Sequence, residues 1–562
     1  MKTIKKWTAL ALCLALFCAL LPQISITAHA ETLSGSIGDN IKWTLDTDTG
    51  LLTIDGEGDI RSNWDTDEDL PWHDDELSEY VKSAEIHEGI TGTGGAIFAG
   101  CEELGSVSLP NSLKNIGQSA FWGCTALTEI TIPENVDTIC ESAFRACDRM
   151  TAIRVAPENE YFFSQDGVLL DGKRSELIQY PAGKKDASYQ IPDTVMIIGP
   201  YAFSECTRLT ELVIPDSVTE LGNSMCEFNT ALQKVSIGSG VTEIPAAAFI
   251  YCPALTEVRM PKGLTCIGSF AFAGCQSLTE VTIPSTVNEI YYSAFSGCEA
   301  LKNVTIPDSV NFIDSCAFFD CAMTEVTIPA SVTTIEAYAF GYCFDDEDEY
   351  YNFAPIEGFT VYGYTDSAAA TYAAENGIRF IAMDRFVDVT GEDYYFNPVM
   401  WAIGHEPAIT DGVDDTHFGA DNACTREQIV TFLWAANGKP APTSTESSFS
   451  DVDSNAWYCK AVMWAVENKI AKGMEDGTFG VGQPCTRAQA MTFLWAANGK
   501  PAPTSTESSF SDVTANDWFC NAVLWAAENG ITKGIGDGLF GSNSTCTRAQ
   551  IITFLYKAAM MN

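Results

Sequence analysis

The chain contains 562 residues, which predicts several domains, because one domain commonly takes about 100–200 residues. Its 31 Lys and Arg are outnumbered by 75 Asp and Glu, which gives a formal charge of −44. This charge excludes ordinary nucleic-acid binding, which needs a basic surface, and argues against docking on anionic lipid by charge alone. Hydrophobic residues make up 46% of the chain, so the acidity does not indicate disorder.

The first thirty residues have the pattern of an export signal. Lysines open the segment, an apolar run follows over 7–21, and Ala28-His29-Ala30 forms a small-x-small cleavage site. No later run approaches eighteen apolar residues, so we expect no membrane insertion. The sequence therefore predicts a signal peptide at 1–30 and a secreted protein.

From about residue 81 to 343 the sequence repeats with a period of 23 residues, interrupted by one long insertion at 155–190. Each unit places a phenylalanine three residues before a cysteine, except that one unit has Cys226 and Asn229 at these positions. The phenylalanines are Phe98, Phe121, Phe144, Phe203, Phe249, Phe272, Phe295, Phe318 and Phe340. No single unit can enclose its own apolar face, so neighbouring units must stack into a solenoid.

One complete unit, residues 278–300, shows the local structure that we expect. Leu278, Val281 and Ile283 alternate as in a short strand with one buried face. A second short strand follows near Ile290, and Ser293-Ala294-Phe295 predicts a tight helical turn. The phenylalanines should then stack inside the solenoid, with the cysteines beside them.

The cysteine column allows two interpretations. Stacked strands lie about 4.8 Å apart, so vertical disulfides are possible by distance. However, Asn229 replaces one cysteine without disturbing the period, so we favour buried, reduced thiols that satisfy backbone groups at a turn.

This repeat, with its Ala-Phe-x-x-Cys signature, resembles the bacterial surface leucine-rich repeats of the BspA-like (Treponema pallidum-type) family. The segment 161–170 with Tyr180-Pro181-Ala182-Gly183-Lys184 resembles the long unit of that family, and 361–377 its C-terminal cap. Residues 31–80 resemble its N-terminal β cap, followed by a solenoid with a C-terminal cap over 81–383. The resemblance implies adhesion or ligand binding at a cell surface and does not imply an enzyme.

After Met383 three copies of a different frame follow, and 22 residues recur identically at 431–452 and 492–513. Each copy has a Phe-x-Asp-Val segment, an apolar helix pattern around a tryptophan, and a Cys-Thr-Arg segment that opens a second helix. The threonine is a suitable N-cap, with glutamine three residues later as in a capping box.

The triplet resembles the S-layer homology family, helical modules that assemble as a pseudo-threefold bundle, and it implies domains at 384–440, 447–501 and 508–562. The overall fold class is thus multi-domain: a β-rich leucine-rich-repeat solenoid of parallel short strands, then an all-α triplet. The family attaches exported proteins non-covalently to secondary cell-wall polymers, typically ones that carry pyruvate ketals. Its Thr-Arg-Ala-Glu motif corresponds to 425–428, 486–489 and 547–550, where Gln replaces the final Glu in all three copies.

An arginine in the first turn of a helix joins a planar set of donors to the positive end of the helix dipole, which suits a ketal carboxylate. Alternatively, each arginine only ties its helix to a neighbouring aspartate. The first copy has Tyr394 where the others have tryptophan. The predicted polymer-binding residues are Arg426, Arg487, Arg548, Thr425, Thr486, Thr547, Gln428, Gln489, Gln550, Asp388, Asp451, Asp512, Trp457 and Trp518.

The triplet cysteines suggest disulfides. Cys459 and Cys485 in the second copy, and Cys520 and Cys546 in the third, are each separated by 26 residues. We interpret them as two possible intradomain bridges, which would leave Cys424 free.

Motifs for catalysis are missing from the sequence. It contains no H-E-x-x-H, C-x-x-C, P-loop or G-x-S-x-G pattern, so we expect no metal and no cofactor. Residues 46–50 begin like a calcium loop but fit a hairpin turn better, and the acidic run 345–349 fits a solvated loop.

Together these features predict a secreted, non-catalytic surface protein of a Gram-positive-type bacterium. The triplet would bind a pyruvylated secondary cell-wall polysaccharide, and the solenoid would bind an unknown extracellular protein or glycan. A structural S-layer component that self-assembles is the alternative, and an enzyme with an unrecognised site is a weaker one.

Overall fold

The computed structural model describes residues 32–37, 39–60, 70–73, 75–344, 353–444 and 446–561, with the side chains of 75 and 76 left out. The predicted signal peptide and the acidic run 345–349 lie outside these ranges. Within them, no helix combines the length and the apolarity that crossing a bilayer requires. The chain divides into two compact units, residues 1–263 with 270–276, and residues 264–269 with 277–562.

The first unit consists of short strands joined by turns. Its short helices are a 3₁₀ helix at Pro71–His73 and α1 at Asp75–Ser78. Its strands are β1 Thr32–Ile37, β2 Ile41–Asp46, β3 Leu51–Gly56, β4 Gly58–Asp59, β5 Ser83–Ile86, β6 Ile90–Gly92, β7 Ser106–Ser108, β8 Asn115–Ile116, β9 Glu129–Ile132, β10 Thr138–Ile139, β11 Ala152–Val155, β12 Phe162–Gln165, β13 Val168–Asp171, β14 Glu176–Gln179, β15 Ser188–Gln190, β16 Ile197–Ile198, β17 Glu211–Val213, β18 Glu220–Leu221, β19 Lys234–Ser236, β20 Glu243–Ile244 and β21 Glu257–Arg259.

These strands form the two parallel faces of a solenoid. Strands β1, β2 and β3 pair antiparallel, and β3 then pairs parallel with β5 and β5 with β7. The β2–β3 connection is the predicted hairpin turn, where Asp46 Oδ1 accepts from the N–H groups of Asp48 and Thr49 at 3.0 Å. Farther along, β15-β17-β19-β21 continue one face, while β10-β8-β6-β4 and β14-β16-β18 belong to the other.

The phenylalanine column forms the predicted internal stack. Ring centroids lie 5.5 Å apart for Phe121 and Phe144, and 5.4 Å apart for Phe249 and Phe272. The turn before each phenylalanine differs from the helical turn that we predicted. Ser119 has a left-handed φ of +53°, and the N–H of Phe121 donates to the carbonyl of Ala143 on the next turn at 2.8 Å. The backbone bonds therefore alternate: Phe121 donates to the next turn, whereas the N–H of Trp122 donates back to the carbonyl of Ser119 at 3.0 Å, as in a single helical turn.

The cysteine column is the predicted polar ladder. Cys147 Sγ donates to the carbonyl of Phe121 on the preceding turn at 3.1 Å, and Cys275 Sγ donates to that of Phe249 at 3.3 Å. Asn229 makes the same contact through Nδ2, at 2.9 Å from the carbonyl of Phe203. All described cysteines of the chain are free thiols, as we favoured for this column.

The second unit holds the remaining repeats, their cap and the triplet. Its strands are β22 Cys266–Ile267, β23 Glu280–Thr282, β24 Glu289–Ile290, β25 Asn303–Thr305, β26 Phe312–Ile313, β27 Glu325–Thr327, β28 Thr334–Ile335, β29 Tyr342–Phe344, β30 Phe353–Pro355, β31 Thr360–Gly363 and β32 Arg379–Ala382. Its helices are α2 Ala368–Asn376, α3 Phe396–Gly404, α4 Arg426–Ala436, α5 Cys459–Glu467, α6 Arg487–Ala497, α7 Cys520–Glu528 and α8 Arg548–Ala559.

The repeats of this unit keep the same stack, with ring centroids 5.2 Å apart for Phe295 and Phe318 and 4.9 Å apart for Phe318 and Phe340. Helix α2 lies between β31 and β32, which pair in parallel and extend the face that contains β27. Ser367 caps the start of α2, and Gly377 ends it with a φ of +63°. This is the expected C-terminal cap.

The triplet contains two helices per copy arranged around a pseudo-threefold axis, as predicted. Three buried cysteines lie at the axis and are joined in a ring by backbone bonds. The N–H of Cys424 donates to the carbonyl of Cys546 at 2.9 Å, that of Cys546 to Cys485 at 3.0 Å, and that of Cys485 to Cys424 at 2.8 Å. No copy can complete this ring alone.

Candidate functional site

The three motif arginines lie at the junctions between successive copies. Arg426 Nε donates to the carbonyl of Phe479 in the second copy at 2.9 Å, and its Nη2 donates to the carbonyl of Lys472 at 3.0 Å. Arg487 contacts the third copy in the same way, with Nε on the carbonyl of Phe540 at 2.9 Å and Nη2 on Thr532 Oγ1 at 3.0 Å.

Arg548 closes the cycle, donating from Nε to the carbonyl of Phe418 in the first copy at 3.0 Å and from Nη2 to Thr410 Oγ1 at 3.1 Å. The three arginine residues are only 3–4% exposed. The predicted binding residues are therefore also connections between copies. The alternative that we considered, a tie to a neighbouring aspartate, is replaced by a tie to the carbonyl and hydroxyl oxygens of the next copy.

Aromatic rings sandwich each guanidinium group. The Cζ atom of Arg487 lies 5.1 Å from the centroid of the Phe540 ring and 5.4 Å from that of Phe554. Burial lowers the pKa of all three arginines below the ordinary value of the side chain. The Nη1 atom of each has no hydrogen-bond partner among the described residues, yet is not among the fully buried unpaired atoms. Each guanidinium thus keeps one nitrogen, Nη1, that makes no hydrogen bond to the described residues.

The three predicted aspartates shape the loop that each arginine contacts. Asp451 Oδ1 accepts from the N–H of Phe479 at 2.6 Å, and Oδ2 accepts from Gly480 and Val481, both at 2.8 Å. Asp388 and Asp512 hold the equivalent loops of their own copies in the same way. Burial raises the pKa of these carboxyl groups, but the backbone donors outweigh it and hold each pKa below the ordinary 3.8.

The threonine and glutamine residues form helix caps. The N–H of Thr486 donates to Gln489 Oε1 at 3.1 Å, and Thr486 Oγ1 accepts from the N–H of Gln489 at 3.3 Å. Thr547 and Gln550 repeat this capping box. In the first copy Gln428 accepts from the N–H of Thr425 at 3.1 Å, but Thr425 Oγ1 is buried without a partner.

The predicted aromatic residues are the most exposed members of the site. Trp457 and Trp518 are 63% and 65% exposed, and Tyr394 at the equivalent position is 64% exposed. Burial raises the pKa of Tyr394, with Asp421 adding to the shift and Arg487 opposing it, which places the phenol near both charges. The aromatic residue of the first copy therefore lies within electrostatic range of Arg487 in the second.

The loop that Asp512 holds also borders an open pocket of about 380 Å³, lined by Gly541, Ser542, Asn543 and Ser544. Ser542 is 7% exposed, and its Oγ is a buried atom that makes no hydrogen bond to the described residues. A buried hydroxyl without a partner is costly, so a polar group that reached it would gain a hydrogen bond.

Sequence reasoning missed two kinds of functional contact. Glu427 is 7% exposed and accepts from the N–H of Gly482 at 3.0 Å, although the second and third copies have alanine at this position. The carbonyl oxygens that bind the arginines carry no side-chain signal in the sequence. The break of the Ala pattern at Glu427 could have indicated the first contact.

The predicted disulfides Cys459–Cys485 and Cys520–Cys546 are not formed in the structure, which has all four residues as free thiols. Cys485 and Cys546 lie in the axial ring with Cys424, whereas Cys459 and Cys520 begin α5 and α7. The spacing of 26 residues reflects the repeat of two helices per copy. No cluster of His, Cys, Asp or Glu in the described ranges has the geometry to hold a metal ion.

Comparison with known families agrees with this architecture. A family described as BspA type Leucine rich repeat region matches residues 77–165, 183–302 and 226–345 in six copies, and one described as S-layer homology domain matches 385–430, 448–491 and 509–552. The chain is a BspA-type leucine-rich repeat protein with three S-layer homology domains. Both predicted resemblances are confirmed.

Individual relatives match this leucine-rich repeat protein over limited stretches. It is 32% identical over 134 residues to a "Cell surface protein" of Thermoanaerobacter kivui, covering 23% of this chain and 18% of the relative. It is 28% identical over 111 residues to "S-layer protein sap" of Bacillus anthracis, covering 20% of this chain and 13% of the relative. The matched part is thus less than a fifth of either relative.

Among solved structures, the chain is similar to a leucine rich cell surface protein from Faecalibacterium prausnitzii A2-165, at 36% identity and a TM-score of 0.38. That match covers 40% of this chain and 60% of the other.

Proposed function

We propose that the triplet anchors this protein non-covalently to a secondary cell-wall polysaccharide that carries pyruvate ketals. The observation that carries the proposal is the cyclic set of junctions, each with a fixed guanidinium group whose Nη1 makes no hydrogen bond to the described residues. A ketal carboxylate is the anionic group that such a donor fits.

The coarser function is a cell-surface, wall-associated protein, which the two families and the relatives support. The matched families are non-enzymatic, and we propose a non-catalytic role. Secretion through residues 1–30 and residence at the wall or S-layer of a Gram-positive-type bacterium remain part of this proposal.

Because the chain has a formal charge of −44, binding of an anion requires a local positive group. The fixed position of each guanidinium group supplies it, because two of its nitrogens already bind protein oxygens and the third requires no reorganisation. Low exposure of the arginine strengthens its attraction for a carboxylate, since water screens it less.

The exposed tryptophans supply the second part of the proposed contact. Trp457 and Trp518 occupy the same position in two successive copies and are about two-thirds exposed, so both can contact a ligand. We expect the sugar ring that carries the ketal to lie against the aromatic residue while its carboxylate meets the arginine.

The test is a pull-down of purified protein with native cell walls and with walls stripped of pyruvate. We expect binding to native walls and a loss on stripped walls. The informative variant is Trp457→Ala with Trp518→Ala, since exposed side chains can be removed with little effect on folding. The matched control is Trp122→Ala on the solenoid, where tryptophan is 38% exposed.

Equal binding to both kinds of wall would refute the role of the ketal. Unchanged binding by the double tryptophan variant would refute the role of the aromatic residues. In both cases helical circular dichroism must confirm that the variants are folded.

The solenoid is proposed to display a surface that binds an extracellular protein or glycan. The alternative of a self-assembling S-layer component makes a different prediction: purified protein would form ordered sheets visible by electron microscopy. Dispersed particles under the same conditions support the anchored, ligand-binding role.

A further inference from the structure

The long insertion leaves a break in the hydrogen bonding of the first unit. On a regular turn, the N–H groups of Ser119, Phe121 and Gly123 donate to carbonyls of the next turn at 3.4, 2.8 and 3.0 Å. The residues 23 positions later are Ser142, Phe144 and Ala146. Within the described part of the chain, the N–H groups of residues 142, 144 and 146 donate to no carbonyl group of a following turn. Three donors are left at one edge.

The acceptors of this edge are also unused. The carbonyls of Lys114 and Ile116 accept from Asp137 at 2.8 Å and Cys140 at 2.9 Å. The equivalent carbonyls on the next turn, those of Asp137 and Ile139, accept no hydrogen bond from the described residues. Strand β10 is therefore the edge of its sheet, and the unused donors lie in the turn that follows it, beside Arg145, which pairs across the break with Glu227 at 2.6 Å.

The aromatic stack breaks at the same place. It ends at Phe144 and resumes where Tyr180 stacks on Phe203 at 5.3 Å, and in the described chain no ring contact joins Phe144 to Tyr180. Beside Tyr180, Gln179 takes the position that alanine has in the neighbouring turns and is 5% exposed. Its Nε2 donates to the carbonyls of Tyr180 and Ala202, at 3.2 and 3.5 Å.

A cavity of about 270 Å³ occupies the break, between β10 on one side and β12, β14 and the end of β16 on the other. Gln179 lines it, and its Oε1 has no hydrogen-bond partner in the described structure and is not a fully buried atom. Four carboxyl side chains also line the cavity, and none of its described lining residues is basic. These are Asp137, Glu141, Asp171 and Glu176.

The volume is slightly below the lower end of small-molecule pockets, about 300 Å³, so it fits one side chain better than a whole cofactor. Burial raises the pKa of Glu176, and Asp171 and Glu220 add to it. A positive charge brought into the cavity would remove this repulsion. Backbone donors and acceptors beside a cavity for one side chain are the features of strand addition by a peptide.

We propose that this break, which we call the β10 notch, binds an extended segment of a partner protein that pairs with β10 and inserts a lysine or arginine side chain into the acidic cavity. This rests on, and makes specific, the ligand-binding role proposed for the solenoid. The wall-anchoring role depends on other residues, those of the triplet.

The experiment uses the full chain and a fluorescent peptide, acetyl-Thr-Val-Lys-Val-Thr-amide, with fluorescence anisotropy as the readout. The same peptide with glutamate in place of lysine is the ligand control. We expect Glu176→Gln to weaken binding of the lysine peptide about tenfold, the size of one lost charge-assisted contact. The matched control Glu243→Gln removes the same charge from an exposed residue on a regular turn and should leave binding within about twofold.

Hydrogen–deuterium exchange tests the pairing without any substitution. The lysine peptide should slow exchange over residues 142–146 and leave residues 119–123, which are already bonded, unchanged. Equal affinity for both peptides, absence of saturable binding to millimolar concentration, or unchanged exchange over 142–146 would each overturn the proposal. Because the wall pull-down is a separate assay on the triplet, these results do not alter its outcome.

Discussion

Replacing Arg487 by lysine should destabilise the triplet while keeping its charge. The guanidinium group joins the second copy to the third through the carbonyl of Phe540 and Thr532 Oγ1. Lysine carries one nitrogen in place of three and can satisfy only one of these acceptors in a comparable direction. Since the site is 4% exposed, water cannot easily replace the lost donor.

The size of the effect follows from the contacts. One lost hydrogen bond to a charged donor costs about 1.5–3 kcal/mol, and weaker stacking between Phe540 and Phe554 adds about 0.5–1 kcal/mol. We therefore expect the free energy of unfolding to fall by about 3 kcal/mol. For a domain of 150–250 residues each kcal/mol lowers Tm by about 2–4 °C, so the expected shift is about 6–12 °C.

The assay is thermal unfolding of the full chain followed by circular dichroism at 222 nm. This signal reports mainly on the triplet, because six of the eight described α-helices lie there. The control is Arg259→Lys, since that arginine side chain is 74% exposed and its replacement should change Tm by no more than about 2 °C. A Tm of the Arg487→Lys variant within 2 °C of the parent would refute the structural role given to this residue.

Three further predictions concern pH and packing. Because the pKa of Asp451 is depressed in the folded state, its stabilisation is present above the unfolded value of 3.8 and is lost as the pH falls through the lower folded value. The Asp451→Asn variant should therefore be less stable at pH 7 and less sensitive to acid. Acid titration followed by helical circular dichroism measures both effects. Burial raises the pKa of Cys226 well above 9.0, so its thiol stays protonated in the folded state. The free energy of unfolding, measured with urea, should therefore decrease above about pH 9 by up to about 1.4 kcal/mol per pH unit for each such thiol. A flat profile from pH 8 to 11 would contradict this. Gly480 and Gly482 both have a positive φ, at +89° and +76°, but only a Cβ at 480 would meet the arginine of the preceding copy, at 3.1 Å. Thermal unfolding should therefore show Gly480→Ala to cost more than the roughly 1 kcal/mol of Gly482→Ala, and equal costs would count against the contact.

The solenoid was largely predictable because its constraint repeats. A phenylalanine every 23 residues can be buried only if successive units stack, and Asn229 already indicated that its column satisfies backbone groups. The turn conformation was not predictable in the same way. Ser119 has a left-handed φ and its N–H bonds to the carbonyl of Glu141 on the next turn, and a bond between turns leaves no local pattern in the sequence.

The triplet shows more clearly that contacts between repeats cannot be predicted from local sequence. Its motif identified Arg487 and the caps Thr486 and Gln489, since both depend on residue type at fixed spacing. The motif did not indicate that the arginine donates to a carbonyl 53 residues away in another copy. Backbone acceptors are the same at every residue, so only the folded chain selects among them.

The cysteines show most clearly which features the sequence determined and which the tertiary structure determined. Sequence alone determined the repeats, the cap motifs and the side chains that each copy supplies, because these depend on local periodicity and residue chemistry. It gave Cys485 and Cys546 the wrong partners, because a spacing of 26 residues within a copy does not report distance in space. Only the tertiary structure decided that these residues meet Cys424 at the axis, since closing three similar copies into a ring brings equivalent positions together.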